Sequence, residues 1–355
     1  MGVCPTQYGW VRAVAHDQSP AWPDDLRGAH DRFASLQMET YHGLLLEPAD
    51  RVVHTNANTK QGNVPVWIVY PPLADKVAPQ SDDGADHQRT DDKGQLPCIV
   101  YVCDWALGSF ASHERLMRNL AHLTGAAVVF ADYVGDGDGQ NIASGQSRVW
   151  ELLHWLAHAD NGKGIDGTRI VIVSDGTGSR IAASLALDIG RDPILMRCVR
   201  AHILIGPILA DPSTFAVGLK SRSASSPCAG KRARERVAPW WIDPQTRCRL
   251  WRLYSGGTTA TTPMRASLQR LSAMAPTLIV MAGHDAFRAH GEMFAERLLK
   301  AGVAVKQSIF ADAVHDFVIA DALSHTPSAA GAVDRIAAFA VKHLNRCTTL
   351  RTARL

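Results

Sequence analysis

The chain has 355 residues, 46% of them hydrophobic and 20% charged, with a formal net charge of +3. That composition suits one large α/β core plus additions, and so small a charge gives no strong pull towards nucleic acid or acidic membranes. The seven cysteines (4, 98, 103, 198, 228, 248 and 347) form no C-x-x-C pair, so neither a disulfide framework nor a zinc module is expected, and no apolar run approaches a membrane span.

The first twenty residues lack a long apolar stretch and read as a poor signal peptide. Met1-Gly2 with Thr6 matches a myristoylation pattern of a kind that chance often produces. The expected location is cytoplasmic. Apolar residues at helical spacing (Leu26, Phe33, Leu36, Met38) predict a helix over Pro23–Tyr41 in an N-terminal cap segment, 1–50. Val52–Asn58 and Val64–Tyr70 read as strands, ended by Pro71-Pro72. Ala78–Gly94, rich in Asp, Gln and Gly, reads as a solvated insertion. From Pro97 strands and helices alternate: strand Cys98–Cys103, helix Ser112–Leu123, strand Ala126–Asp132, helix Ser147–Ala159. The strand Arg169–Val173, its following helix and the strand Ala201–Gly206 complete the first part of the core, 51–210. Such alternation implies a mostly parallel sheet covered by helices on both faces.

The alternation breaks over 211–262. Ser221–Pro227 is poor in apolar residues, Lys231–Arg236 is basic and reads as a solvated loop, and Trp240, Trp241, Trp251 and Tyr254 are aromatic. This segment is expected to form a helical cap over the carboxyl edge of the sheet. Strand Thr277–Ala282, helix Glu292–Lys300, strand Val303–Phe310 and helix Ala329–Leu344 make the second part of the core, 263–345, before a polar tail, 346–355.

One stretch organises the chain. Arg169–Val173 is an apolar, β-branched run; Ser174-Asp175-Gly176-Thr177-Gly178 is a tight turn; Ala182 and Ala183 then open a closely packed helix. Strand, sharp turn and helix resemble the nucleophile elbow G-x-S-x-G of α/β-hydrolases. Other segments extend the likeness. Cys98–Val102 is followed by Trp105-Ala106-Leu107-Gly108-Ser109, similar to W-x-x-G-S. Asp132-Tyr133 is similar to a D-Y strand end, and Leu153-His154-Trp155-Leu156 to the helix after it. Ala282-Gly283-His284-Asp285 with Gly291-Glu292 resembles an acid-bearing segment, and Val314-His315-Asp316-Phe317 an H-G-F segment bearing a histidine. Together these resemble the hormone-sensitive-lipase branch of the α/β-hydrolases, with its arylacetamide deacetylase-like and carboxylesterase members, over Pro97–Leu344. The resemblance implies an α/β-hydrolase fold with a cap, with Asp285 and His315 as the catalytic acid and base.

The departures from that pattern carry the functional expectation. Gly176 stands at the nucleophile position, and Cys103-Asp104 replaces the glycine-rich oxyanion loop. The A-P-E segment after D-Y reads Gly135–Gly139 instead. One oxyanion donor contributes about 3–4 kcal/mol in a well-studied protease, and a carboxylate at Asp104 opposes negative charge. Ser174 is expected below the site and Ser179 a turn further on. Thr177 could lend a backbone N–H, Cys103 a thiol near His315, and Trp105 a pocket wall. The plainer readings are a small buried Cys103, a Gly176 chosen because glycine relaxes the turn, and an Asp285–His315 pair kept for its hydrogen bond.

Gly176-x-Gly178 fails as a dinucleotide fingerprint because Ile181 stands where Gly or Ala belongs. Asp136-x-Asp138-Gly139 loses a calcium-loop register at Gln140, and His284, His290 and Glu292 lack zincin spacing. No metal and no cofactor are expected. The resulting expectation is a non-hydrolytic enzyme, a dehydratase, cyclase or lyase, with His315 as base and Asp285 as its orienter, acting on a small hydrophobic oxygenated metabolite. Its pocket would be lined by Trp, Leu and Phe between sheet and cap. The alternatives are an inactive ligand- or partner-binding pseudo-hydrolase, or an esterase with residual activity. Oligomeric state stays open, a homodimer included.

Overall fold

The computed structural model describes residues 46–72, 94–105, 108–133, 142–158, 161–210, 263–285 and 287–345, with isolated positions between 6 and 37 and Trp251. The helix expected over Pro23–Tyr41, the insertion over Ala78–Gly94, the cap over 211–262 with its pocket, and the tail 346–355 lie, single positions aside, outside the described residues.

Eight strands form one sheet: β1 (Val52–Thr59), β2 (Gly62–Val69), β3 (Leu96–Val102), β4 (Ala127–Ala131), β5 (Ile165–Asp175), β6 (Val199–Ile205), β7 (Thr277–His284) and β8 (Val305–Val314). Their order is β1-β2-β4-β3-β5-β6-β7-β8. β1 and β2 pair antiparallel, as do β2 and β4; every later pairing is parallel. The sequence explains the difference. β1 alternates exposed and part-buried residues along an edge, whereas β3, β4 and β6 are apolar almost throughout because helices cover both faces.

The helices are α1 (Phe110–Thr124), α2 (Ile142–Ala157), α3 (Gly178–Ile189), α4 (Leu195–Cys198), α5 (Leu268–Leu271), α6 (Arg288–Lys300) and α7 (Pro327–Leu344). α1 packs beside α7, and α2 beside α3. With right-handed crossovers the two pairs fall on opposite faces. From β3 the chain moves towards β4, and from β5 it moves the other way towards β6. The gap between the carboxyl ends of β3 and β5 is therefore the switch point of the sheet, where ligands of open α/β sheets bind. Asp104 follows one of these strands and Gly176 the other.

Several boundaries differ from the sequence expectation. β5 begins at Ile165 rather than Arg169, because Asp166, Gly167 and Thr168 interrupt its apolar run. α2 begins at Ile142 rather than Ser147; its Gly145 conceals the start but is needed there, since a Cβ would come within 2.9 Å of Trp105 and Tyr133. α6 begins at Arg288, and β8 runs to Val314, directly before His315.

Candidate active site

β5 ends at Asp175 and α3 begins at Gly178, so two residues make the turn. Gly176 takes φ +47°, a conformation that strains any side chain. The turn is pinned by backbone bonds: Gly176 N–H donates to Ile205 (3.1 Å), and Ile208 N–H donates to the Gly176 carbonyl (2.9 Å). At Gly178 a Cβ would run into the carbonyls of Val102 and Cys103, so glycine lets α3 approach β3 this closely.

The loop after β3 interlocks with that turn. Asp104 Oδ2 accepts from the Thr177 N–H (2.8 Å), and Trp105 N–H donates to Thr177 Oγ1 (2.9 Å). Asp104 N–H donates to Asp175 Oδ1 (3.2 Å). A Cβ on Gly176 would collide with the Asp104 carboxylate. A side chain at the tip of the turn and the present Asp104 rotamer are mutually exclusive. Thr177 N–H is one of the first amides of α3, and such groups suit negative charge; the anion they hold here belongs to the chain itself.

Of the other expected residues, Cys103 is buried, and burial first, then Asp175, Asp132 and Asp104, push its thiol well above the ordinary range. It is an inert protonated thiol rather than an activated nucleophile. Trp105 is fully buried against Tyr133 and is a core residue, not an open pocket wall. Ser174 Oγ meets Ser179 Oγ (3.2 Å) inside the core, below the turn.

Beyond β6, on the same side of the switch point as the Gly176 turn, His315 meets Asp285. His315 follows β8 and Asp285 follows β7, with Nδ1 and Oδ2 2.7 Å apart and the Asp285 side chain 1% exposed. Phe287 N–H donates to Asp285 Oδ1 (2.8 Å), fixing the carboxylate, and the Phe287 ring stands edge-on to the imidazole at 5.6 Å. The imidazole lies over Gly206 at the end of β6, where a Cβ would come within 3.4 Å of Cε1. β6 pairs with β5 up to Asp175 and Ile205, so the His315 imidazole lies over the end of the strand that neighbours the Gly176 turn.

Three features had no signal in the sequence reading. Asp316 is the one non-glycine with positive φ (+60°) among the described residues, and its Oδ1 lies 3.2 Å from His315 Nε2. His290 on α6 accepts the Leu209 N–H at Nδ1 (3.3 Å), and burial, opposed by the nearby Asp285, lowers its pKa to about 4. Arg115 on α1 pairs with Asp321 (2.6 Å) and donates to the carbonyls of Val318 and Ile319, clamping the turn that bears His315. Among the described residues no group of three or more His, Cys, Asp or Glu side chains is placed to hold a metal ion, and no helix is long and apolar enough to cross a membrane.

A family model described as alpha/beta hydrolase fold matches residues 103–319. Carboxylesterase NlhH of Mycobacterium tuberculosis is 26% identical over 266 residues, 72% of each chain. Ethyl acetate hydrolase of Pseudomonas putida is 23% identical over 289 residues, covering 80% of this chain and 82% of that one. Among solved structures, a thermostable esterase from Pseudomonas putida superposes with TM-score 0.77 at 21% identity over 98% of this chain and 99% of its own. A hyperthermophilic esterase from Pyrobaculum calidifontis gives 0.74 at 20% identity, covering 96% and 99%. At such identity the two structures establish the fold.

These relatives correct the expected chemistry. The dehydratase, cyclase or lyase reading is overturned, since the sequence relatives carry the names of ester hydrolases. The physical reason is that an Asp-oriented histidine serves elimination and acyl transfer alike. The missing hydroxyl at position 176 therefore could not choose between them.

Proposed function

The chain belongs to the α/β-hydrolase fold family, and on that premise we propose that it hydrolyses carboxylic esters of small apolar molecules by a route that uses no side chain at position 176. The observation that carries this reading is the 2.7 Å contact between His315 Nδ1 and the buried Asp285 carboxylate. Asp285 fixes the tautomer with its proton on Nδ1 and leaves Nε2 as the basic nitrogen. His315 then takes a proton from water at Nε2 while the water oxygen bonds to the acyl carbon. The tetrahedral oxyanion collapses, the ester C–O bond breaks, and the imidazolium returns its proton to the departing alkoxide. The products are one acid and one alcohol.

Asp104 sets the pace of this route. It holds the Thr177 N–H at 2.8 Å, so a substrate oxyanion has to exchange with a carboxylate for that donor. A donor of this kind is worth about 3–4 kcal/mol where it is fully available. Slow turnover follows, which matches an esterase of residual activity. The same contact favours a second reading, in which an ester-like ligand is bound and not turned over.

Hydrolysis of p-nitrophenyl acetate and butyrate by the purified chain and by His315→Ala separates the two. The hydrolytic reading expects turnover that falls roughly 10²–10⁴-fold in the variant, the usual contribution of a positioned base. Equal rates for the two proteins would leave only the binding reading.

A further inference from the structure

We propose that Asp316 is a positioning residue for the ester chemistry, holding the Nε2–H of the His315 imidazolium opposite the Nδ1–H held by Asp285. The proposal rests on the reading of His315 as the base. It begins from an outlier. Asp316 sits at φ +60°, where glycine is at ease and a residue with a Cβ is uncommon. An outlier of this kind, retained beside a reactive group, is a reason to ask what its side chain does.

The backbone of the turn does not need an aspartate. The Asp316 carbonyl accepts from the N–H groups of Ile319 (2.9 Å) and Ala320 (2.8 Å), and a glycine carbonyl would accept them equally well. The resemblance to an H-G-F segment marks the same position as one that glycine fills. What aspartate adds is a carboxylate, and Oδ1 of that carboxylate lies 3.2 Å from His315 Nε2. His315 is thus bracketed, with Asp285 Oδ2 at 2.7 Å on one nitrogen and Asp316 Oδ1 on the other.

A neutral imidazole has one N–H and one lone pair. Between two carboxylates it can donate to one and must turn its lone pair on the other. The protonated ring donates to both, so the bracket favours the form that exists after His315 has taken the proton from water. This assists the same step that an oxyanion donor would assist, from the opposite side of the reaction. It also fits a turn in which Asp104 engages the Thr177 N–H.

Other titratable groups stand on the elements packed near the ring. Asp104 stands at the Gly176 turn and Asp175 at the end of β5, the latter 3.5 Å from His113 Nε2. His290 contacts Phe287 and is kept neutral by burial; Tyr101 on β3, near Asp316, is likewise kept neutral by burial first and then by Asp175. Each of the two bracketing carboxylates makes a direct contact with a ring nitrogen.

The test uses the full chain with Asp316→Asn and Asp316→Gly, and reads the His315 ring nitrogens by ¹⁵N NMR against pH alongside the pH profile of kcat for p-nitrophenyl butyrate. The expected result is a His315 titration midpoint about one pH unit lower in both variants, since an opposite charge this close favours the charged form. The acid limb of kcat moves the same way, and the plateau falls about tenfold, the equivalent of one such unit. The melting temperature of Asp316→Gly stays level or rises, because glycine relieves the positive φ. A purely structural role would lower stability and leave the midpoint in place. An unmoved midpoint in both variants overturns the assignment. A midpoint that moves in a chain without ester turnover keeps the action of Asp316 on the imidazolium and removes the hydrolytic reading with the ester role.

Discussion

The two halves of the site, one at the end of β5 and one at the ends of β7 and β8, are built by different means. At the end of β5 the geometry is held by backbone and by steric exclusion: Gly176 at positive φ, Gly178 against β3, and Asp104 in the space a side chain would need. At the ends of β7 and β8 it is held by side chains: Asp285 on His315, Asp316 on its other nitrogen, Arg115 on Asp321. His315 has a carboxylate on each ring nitrogen, while at the turn the Thr177 N–H is held by the chain's own Asp104.

If that division is right, perturbations on the two sides separate. The largest effect belongs to Arg115→Met, which leaves the buried Asp321 carboxylate without its cation. Breaking such a pair costs about 3–5 kcal/mol, read as a shift in the urea midpoint. Ester turnover falls with it, since the clamp on the His315 turn is lost. A variant as stable and active as the parent would show that this side does not depend on the clamp.

Next is the pH dependence from His290. Burial lowers its pKa to about 4 in the folded chain, against 6.5 for an ordinary exposed imidazole. Between those values the unfolded state binds more protons, so this contribution is complete above about pH 6.5 and is lost as pH falls towards 4. Its upper limit is on the order of 3 kcal/mol. Denaturant titrations between pH 7 and 4 should show that slope in the parent, and a flatter one in His290→Asn. The same slope in both would place the acid sensitivity elsewhere.

A smaller effect is expected on the other side. Gly176→Ser places a side chain at positive φ, a strain of about 1–3 kcal/mol, and drives it into Asp104. Adding Asp104→Gly removes the collision. The melting temperature should therefore drop in the single variant and partly recover in the double, and only the double should be modified at position 176 by a serine-directed fluorophosphonate. Full labelling of the single variant would show that Asp104 does not close the turn.

Much of the fold could be read from pattern. The run Arg169–Val173, the apolar strands and the alternation after Pro97 place the sheet because parallel strands need apolar residues on both faces. That Asp285 and His315 come together could be expected, because their local segments and their order resemble a known arrangement. The Asp104 carboxylate on Thr177 N–H was not, since it joins residues 73 positions apart through a side-chain torsion. The Arg115–Asp321 pair spans 206 positions and leaves no local trace. Asp316 was visible as a letter and invisible as a φ angle. The reaction class was misread for a related reason: a missing hydroxyl is plain in the sequence, whereas what stands in its place needs coordinates.

In the proposed route His315 and water carry ester hydrolysis without a covalent intermediate at the turn. The most direct measurement follows p-nitrophenolate release from p-nitrophenyl acetate from the first seconds onward, with the protein mass recorded during turnover. The account predicts linear release with no burst, an unchanged mass, and loss of the signal in His315→Ala. A burst equal to the protein concentration, with the added mass of an acetyl group, would contradict it.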